Sequence, residues 1–200
     1  MLNLRERLLK TLENLSKLEI FRDFYLAGGT ALFLKYEHRP SYDLDFFLLP
    51  DKSFSNIYES TLRNYDVEFS YVDSSTIIFF LNGVKVSLFE YKYPLIGITS
   101  KIGGIVLCSD EDIACMKMIA ISQRGLKKDF YDLWFLIKKY NWSLENLVSM
   151  LRKKYEKYNP MIFLRALVYF EDAEKNKDIE EVEKSWEEIK SFFVNLISTL

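Results

Sequence analysis

The sequence is poor in the residues that build metal centres and disulfides. Its 200 residues include two cysteines, Cys108 and Cys115, and one histidine. A zinc site draws mainly on these side chains at short spacings, so the composition argues against one. Both cysteines lie in or beside apolar segments, and unpaired thiols of this kind are typical of a reducing compartment.

Glycine and proline are also scarce, with seven and four residues, which argues against a long disordered linker. No apolar run approaches the roughly 20 residues that span a bilayer. The N-terminal segment is amphipathic and mixed in charge, and it lacks the apolar stretch and cleavage site of a signal peptide. These absences together predict a soluble, cytoplasmic protein without a membrane partner.

Neither sign of charge dominates, since 27 basic residues stand against 29 acidic ones and the net charge is −2. This balance excludes a protein that binds polyanions by bulk charge, although a local basic patch could still bind nucleic acid. The chain is rich in apolar residues (49%) and aromatic residues (16%), so it can bury a sizeable core. Its length fits one larger domain, or one domain with a helical appendage.

The spacing of the apolar residues predicts strands and helices in the first half of the chain and helices alone in the second. The predicted strands cover residues 24–27, 43–49, 67–72, 75–81, 84–90 and 105–108. Asn82-Gly83 predicts a hairpin between two of them, because both positions of its turn need positive φ. The predicted helices cover residues 3–20, 30–36, 54–65, 110–123, 127–140, 143–157, 160–172 and 178–199. The strand at 43–49 is expected to be buried on both faces beyond its polar start.

Gly28, Gly29 and Thr30 stand between a predicted strand and a predicted helix. Glycines there let the backbone approach a ligand closely, and the amides at the helix N-terminus favour an anion such as phosphate. Thr30 adds a hydroxyl that could contact the same phosphate. Taken alone, the motif is explained more simply by a tight turn that needs positive φ.

Asp43 and Asp45 lie two residues apart at the start of a predicted strand, so both side chains are expected on one face. Two carboxylates held this close repel each other unless a cation lies between them, and Mg²⁺ prefers such oxygen ligands. An isolated pair of this kind is more often a strand entering from solvent. The order of a glycine turn, a short helix and then the pair is more specific, because it brings a phosphate cradle beside a metal pair, as phosphoryl transfer requires.

Two blocks of the sequence resemble the AbiEii/AbiGii-type nucleotidyltransferase toxins, a family within the DNA polymerase β-like superfamily. The first block is residues 24–49, with Gly28-Gly29-Thr30, the stretch His38-Arg39 with Ser41, and Asp43-Leu44-Asp45. The second block is residues 110–136, with Lys117 and the stretch Arg124-Gly125 leading into Lys128-Asp129. The resemblance covers roughly residues 20–140, and two ordered blocks make it specific to the family.

The resemblance implies an α+β fold, in which a polymerase β-like core with a mixed sheet and flanking helices precedes a C-terminal helical bundle. It implies domains at residues 1–108 and 109–200. It further implies Mg²⁺-dependent transfer of a nucleotidyl group from a nucleoside triphosphate to a tRNA or protein acceptor, in a toxin paired with a separately encoded antitoxin.

The resemblance also assigns roles to individual residues. Asp43 and Asp45 would hold the metal, the glycine turn would hold the phosphates, and Lys117 would reach the triphosphate. Asp129 corresponds to a downstream catalytic acid, and Lys128 belongs to a basic group suited to a triphosphate or an RNA backbone. From the residues alone, Lys117 could instead be a solvated lysine, and Asp129 could pair with Lys128 or Arg124 to orient the helix junction.

The sequence departs from the superfamily at Ser87, where a third carboxylate is expected to activate the acceptor. Serine cannot serve as a metal-bound carboxylate, and Glu90 is out of phase with Ser87 on a strand of period two. Two alternatives to the nucleotidyltransferase therefore stay open. One is a weakly active or inactive module that binds nucleotide or a partner, and the other is a kinase-like phosphotransferase.

Overall fold

A computed structural model describes residues 3–55, 57 and 67–198. The chain divides into two units, Met1–Ser109 and Asp110–Leu200, and each is described by itself. Most of the helix predicted over residues 54–65 lies outside the described residues. None of the helices in the described part of the chain is long and apolar enough to cross a bilayer.

The first unit is a seven-stranded mixed sheet with helices. Its strands are β1 (Phe24–Leu26), β2 (Leu44–Leu48), β3 (Glu68–Val72), β4 (Thr76–Leu81), β5 (Val84–Phe89), β6 (Ser100–Ile102) and β7 (Ile105–Leu107). Its helices are α1 (Leu4–Ser16), a 3-10 helix (Glu19–Asp23) and α2 (Gly28–Tyr36). The strand order is β3-β4-β5-β2-β1-β7-β6, with β1–β7 and β2–β5 parallel and the other pairs antiparallel.

Alternate residues of the central strands divide the sheet into two different faces. On β2, Leu44, Phe46 and Leu48 are buried, while Asp45 and Phe47 are half-buried. The prediction that this strand is buried on both faces is therefore wrong. Side chains alternate along a strand, so Asp45 and Phe47 share one face while the apolar core covers the other.

The second unit is entirely helical within the described residues. Its helices are α3 (Asp110–Gln123), α4 (Lys127–Tyr140), α5 (Leu144–Lys154), α6 (Pro160–Ala166), α7 (Glu171–Glu174) and α8 (Glu180–Ile197). Helix α4 packs against α3 and α8, and α3 also packs against α5 and α6. The rings of Phe170, Trp186 and Phe193 surround Phe130 in this core. The prediction of an α+β fold followed by helices is confirmed.

The hairpin predicted at Asn82-Gly83 is present, with φ values of 54° and 70° that fit its two-residue turn. Strand β6 was not predicted. It pairs with β7 across Gly103 and Gly104, both of which have positive φ. Three residues are too few to show a period of two, which is why the pattern missed this strand.

Two predicted helices are shorter in the structure. The helix predicted over residues 3–20 ends at Ser16, and a 3-10 helix follows that brings Phe21 into the core. The helix predicted over residues 160–172 breaks after Ala166. The break lets the Phe170 ring pack between Phe130 and Trp186, a tertiary contact that outweighs local helix periodicity.

Candidate active site

The glycine turn and Asp45 lie side by side in the first unit. Ala27 N–H donates to the Asp45 carbonyl at 3.1 Å, so the pairing of β1 with β2 continues to the residue before the turn. Gly28 then adopts a φ of +72°, and α2 begins. A Cβ atom added to Gly28 would lie 3.7 Å from Asp45 Oδ2. The N-terminus of α2 and a carboxylate of the predicted metal pair therefore share one site.

Thr30 connects α2 to the loop that carries Asp43. Its side chain is buried, and its hydroxyl donates to the Asp43 carbonyl. A second hydrogen bond of 2.7 Å joins this hydroxyl to Ser41 Oγ. Since Thr30 has one hydroxyl proton and gives it to Asp43, Ser41 is the donor in the second bond. Thr30 therefore fixes the loop in front of β2.

Asp43 itself lies just before β2, because the strand begins at Leu44 rather than at residue 43 as predicted. The alternation of a strand therefore sets the direction of Asp45, while the bond from Thr30 sets the position of the Asp43 backbone. The Asp43 side chain is exposed and the Asp45 side chain is half-buried. The carboxylate of Asp45 thus lies beside the glycine turn, while Asp43 is held near it through its backbone carbonyl.

Arg39 lies beside the glycine turn, and no role for it was predicted from the sequence. Its side chain is 5% exposed, and Nη1 donates to the Pro40 carbonyl at 3.0 Å. Its guanidinium also covers Gly29, since a Cβ atom added to Gly29 would overlap Nη2. A buried cation beside a helix N-terminus adds to the positive field that favours a phosphate. The stretch His38-Arg39 with Ser41 was the available signal, but only the fold shows where the guanidinium lies.

Substitution of Gly29 by alanine tests this packing. The added methyl group would overlap Arg39 Nη2 and lie 3.2 Å from Ser41 Oγ, so the guanidinium has to move away from the N-terminus of α2. We expect Gly29→Ala to weaken Mg²⁺-dependent binding of a triphosphate by about tenfold, since a displacement of this kind in a polar site costs about 1–2 kcal/mol. Isothermal titration with a non-hydrolysable triphosphate measures it.

The matched control for that variant is Gly104→Ala, at a glycine whose added Cβ would meet Ser16 rather than the site. Both variants are expected to lose stability, but only Gly29→Ala is expected to lose binding. Equal binding losses in the two variants would show that the effect is general to the fold.

Ser87 is the direct neighbour of Asp45 in the sheet. The parallel pairing of β2 with β5 sets Asp45 opposite Ser87, so the two side chains leave the same face. Ser87 is 1% exposed. The structure therefore places a buried hydroxyl where the superfamily is expected to carry its third carboxylate.

The donor set of this site fits Mg²⁺. In the described part of the chain, no group of three or more His, Cys, Asp or Glu side chains is placed to hold a metal ion. Mg²⁺ needs fewer protein ligands than zinc, because it keeps several waters and shares the oxygens of a substrate phosphate. The Asp45 carboxylate lies beside the N-terminus of α2, and the exposed side chain of Asp43, two residues earlier, supplies a second carboxylate. Asp43 and Asp45 are the residues that would hold the ion.

A charge cluster in the second unit consists of the buried side chains of Lys117, Asp129 and Asp132 and the exposed side chain of Arg124. Lys117 Nζ lies 2.9 Å from Asp129 Oδ1 and 2.7 Å from Asp132 Oδ2. Arg124 adds two bonds to Asp129, of 2.9 Å from Nε and 3.0 Å from Nη2. The cluster joins α3 to α4 with two cations and two anions, and its geometry agrees with the alternative in which Asp129 orients the helix junction.

Lys128 lies beside this cluster on α4, and its side chain is half-buried. Its neighbour Lys127 has a different role, since its ammonium contacts Glu183 of α8 at 2.8 Å. Of the three basic residues at the helix junction, Arg124 and Lys127 are thus engaged in ion pairs within the unit. The predicted role of Lys128 in phosphate binding stays a proposal.

Asp129 makes the stability of the second unit depend on pH. Burial alone would raise the pKa of this carboxyl, but Lys117 and Arg124 outweigh burial and lower the pKa below its usual value. A lowered pKa in the folded state means that this contribution is fully present above the unfolded pKa of about 3.9 and is lost as the pH falls below it.

We therefore compare the free energy of unfolding of the wild type with that of Asp129→Asn between pH 7 and pH 3. The wild type is expected to be more stable by about 3 kcal/mol at pH 7, because the amide takes one of two carboxylates from the buried Lys117 ammonium and breaks the ion pair with Arg124. This advantage is expected to shrink below about pH 4. Urea unfolding followed by circular dichroism measures it, and a difference that stays constant down to pH 3 would contradict the role of the ionised carboxylate.

Comparisons with known proteins agree with this architecture. The family model described as Nucleotidyl transferase AbiEii toxin, Type IV TA system, matches residues 10–95 and 104–199. The chain is also 46% identical over 199 residues to an uncharacterized protein of Aquifex aeolicus (strain VF5), covering 96% of this chain and 95% of that protein.

Two solved structures share the fold. JHP933 from Helicobacter pylori has a TM-score of 0.51 and 21% identity, covering 96% of this chain and 90% of that chain. A candidate nucleotidyltransferase from H. pylori has a TM-score of 0.51 and 20% identity, covering 98% of this chain and 94% of that chain. The family match spans both units and includes the glycine turn, the acid pair and the Lys117 cluster, so this chain belongs to the AbiEii family of nucleotidyltransferase toxins.

Proposed function

We propose that this protein uses Mg²⁺ to transfer a nucleotidyl group from a nucleoside triphosphate to an acceptor hydroxyl. One observation carries the proposal: Gly28 at the start of α2 lies against the carboxylate of Asp45, with an added Cβ only 3.7 Å from Oδ2. A helix N-terminus binds phosphate and a carboxylate pair binds Mg²⁺, so a triphosphate with its metal fits this one place.

In the proposed reaction, an acceptor oxygen attacks the α-phosphorus of the triphosphate. A new phosphorus–oxygen bond forms, the bond to the β-phosphate oxygen breaks, and pyrophosphate leaves. The acceptor proton passes to solvent, since Ser87 is not a base. Mg²⁺ bound by Asp43 and Asp45 would neutralise the phosphate oxygens and lower the pKa of the attacking hydroxyl.

The other site residues take supporting parts in this proposal. The backbone amides of Gly28, Gly29 and Thr30 bind phosphate oxygens, and the Thr30 hydroxyl holds the Asp43 loop. Arg39 adds a buried cation at the same helix N-terminus.

The proposal also retains the roles toward the triphosphate that the family resemblance implies for Lys117 and Lys128. Asp129 orients Lys117 through their ion pair of 2.9 Å. The acceptor is proposed to be a tRNA or a protein, and a separately encoded antitoxin is proposed to counteract the toxin in the cytoplasm.

Ser87 beside Asp45 favours one alternative, a module that binds nucleotide or a partner without transfer. Incubation with α-labelled triphosphates, Mg²⁺, total tRNA and cell protein separates the two. The proposal expects label in an RNA or protein band and none when EDTA replaces Mg²⁺. A protein that binds triphosphate but labels nothing is the binding module, and label transferred only from the γ-phosphate identifies a kinase-like enzyme.

A further inference from the structure

A row of paired residues runs from the catalytic carboxylate to the edge of the sheet. Asp45 on β2 pairs with Ser87 on β5, Ser87 pairs with Ile78 on β4, and Ile78 pairs with Tyr71 on β3. Paired residues on neighbouring strands point to the same face, so Tyr71 shares the face of Asp45. Three strand spacings of about 4.8 Å put it about 14 Å away.

A second row beside the first adds an aromatic ring and a cation to this face. Lys85 on β5 pairs with Phe80 on β4, and Phe80 pairs with Glu68 on β3. Tyr71 and Phe80 are 50% and 38% exposed. The face that holds Asp45 therefore continues toward the edge of the sheet as a strip formed by Lys85, Phe80 and Tyr71. Lys85 is on the strand next to that of Asp45, and the two exposed aromatic rings lie on the strands beyond it.

The chemistry of this strip fits a nucleic acid strand. Exposed rings on a sheet face bind unpaired bases by stacking, with little dependence on sequence, and a nearby cation holds the backbone. The Tyr71 hydroxyl donates to Asp73 Oδ2 at 2.7 Å, which fixes the direction of the ring. Glu68 on β3 and Asp73 just after that strand put negative charge at the outer edge of the sheet, so the phosphate backbone is directed over Lys85, on the side of the catalytic pair.

We propose that the strip formed by Tyr71, Phe80 and Lys85 docks the single-stranded end of an RNA acceptor. This inference rests on the proposed function and deepens it, since it selects RNA over protein as the acceptor. The rings would hold bases a short distance inward from the reacting end, while the terminal hydroxyl reaches the nucleotide at Asp45. The continuity of the paired rows with Asp45 is the observation that favours this occupant.

The test measures RNA binding without triphosphate, so that binding is separated from transfer. The probe is a fluorescein-labelled oligouridylate of 12 nucleotides, followed by anisotropy with the full chain. Tyr71→Ala and Phe80→Ala are each expected to weaken binding by about tenfold, the effect of one lost base–aromatic stack. Lys85→Gln is expected to reduce the slope of log affinity against log salt by about 1.

Val72→Ala is the matched control for these variants. Val72 is adjacent to Tyr71 and 42% exposed, but it pairs with buried Ile77 and so lies on the opposite face. It is expected to bind RNA like the wild type. The strip is ruled out if Tyr71→Ala and Phe80→Ala bind RNA normally while folded by circular dichroism, or if Val72→Ala loses as much affinity.

Two further outcomes separate the strip from the proposed function. If the wild type transfers no nucleotide but binds RNA through Tyr71 and Phe80, the strip stands and the proposed enzyme activity fails. If the wild type labels a protein acceptor and does not bind RNA, the strip is overturned and the transfer activity stands.

Discussion

Replacement of Asp45 by asparagine is expected to lower nucleotidyl transfer by about 10³-fold. Asparagine keeps the size of the side chain but removes a negative charge that would hold Mg²⁺ against the triphosphate, a contribution of several kcal/mol. The fold is expected to persist, because Asp45 is only half-buried and its strand pairs through the backbone. Initial rates of label transfer from an α-labelled triphosphate measure the effect.

Asp51→Asn serves as the control for this variant. Asp51 is an exposed acid in the turn that follows β2, and it lies outside the proposed site. Its variant is expected to keep the wild-type rate and the wild-type unfolding curve. If Asp45→Asn transferred label at the wild-type rate, the carboxylate pair would not be the metal site.

Replacement of Lys154 by methionine is expected to cost about 3–5 kcal/mol of stability. The Lys154 ammonium lies 2.7 Å from Asp112 Oδ1, and both side chains are fully buried. Methionine fills a similar volume but leaves the Asp112 carboxylate buried without this cation. Removing one partner of a buried ion pair is strongly destabilising, because the other charge stays buried and uncompensated. Urea unfolding at pH 7 measures the loss.

Lys157→Met is the matched control, since Lys157 is exposed in the turn that follows the same helix. It is expected to change stability by less than about 0.5 kcal/mol. The double variant Asp112→Asn/Lys154→Met is expected to lose less than the sum of the single variants, because the uncompensated charge is removed with its partner. Additive losses would show that the two charges do not depend on each other.

Local patterns were sufficient for the elements that build the site. The glycine turn, the strand that follows the acid pair and the Asn82-Gly83 hairpin all follow from side-chain period and turn chemistry. The family resemblance predicted Ser87 at the position of a third carboxylate, and the structure pairs Ser87 with Asp45. The family resemblance, confirmed by the match over most of the chain, linked these elements to nucleotidyl transfer.

Contacts between distant segments could not be read from the same patterns. Arg39 over Gly29 and the bond from Thr30 to Asp43 depend on how the loop before β2 folds back onto α2. The apolar stripe of α5 places Lys154 at a buried position, but its partner Asp112 lies 42 residues earlier. The helical period of the apolar residues predicts which side chain is buried, but its partner depends on how the helices pack against one another.

The charge cluster around Lys117 shows a related limit. The sequence left open whether Asp129 acts on substrate or orients the helix junction, because both roles need the same residue types. The structure shows Lys117 between Asp129 and Asp132, with Arg124 bonded to Asp129. An ion pair that positions a lysine is compatible with a role toward phosphate, so the catalytic assignment of Lys117 and Asp129 stays a proposal.

The most direct test of the account is triphosphate binding with and without Mg²⁺, measured by isothermal titration with a non-hydrolysable analogue. The wild type is expected to bind the analogue with Mg²⁺ and to lose most of that affinity when EDTA is present. The double variant Asp43→Asn/Asp45→Asn is expected to show the same weak binding under both conditions. Mg²⁺-dependent binding that survives in the double variant would contradict a site built from the glycine turn and this acid pair.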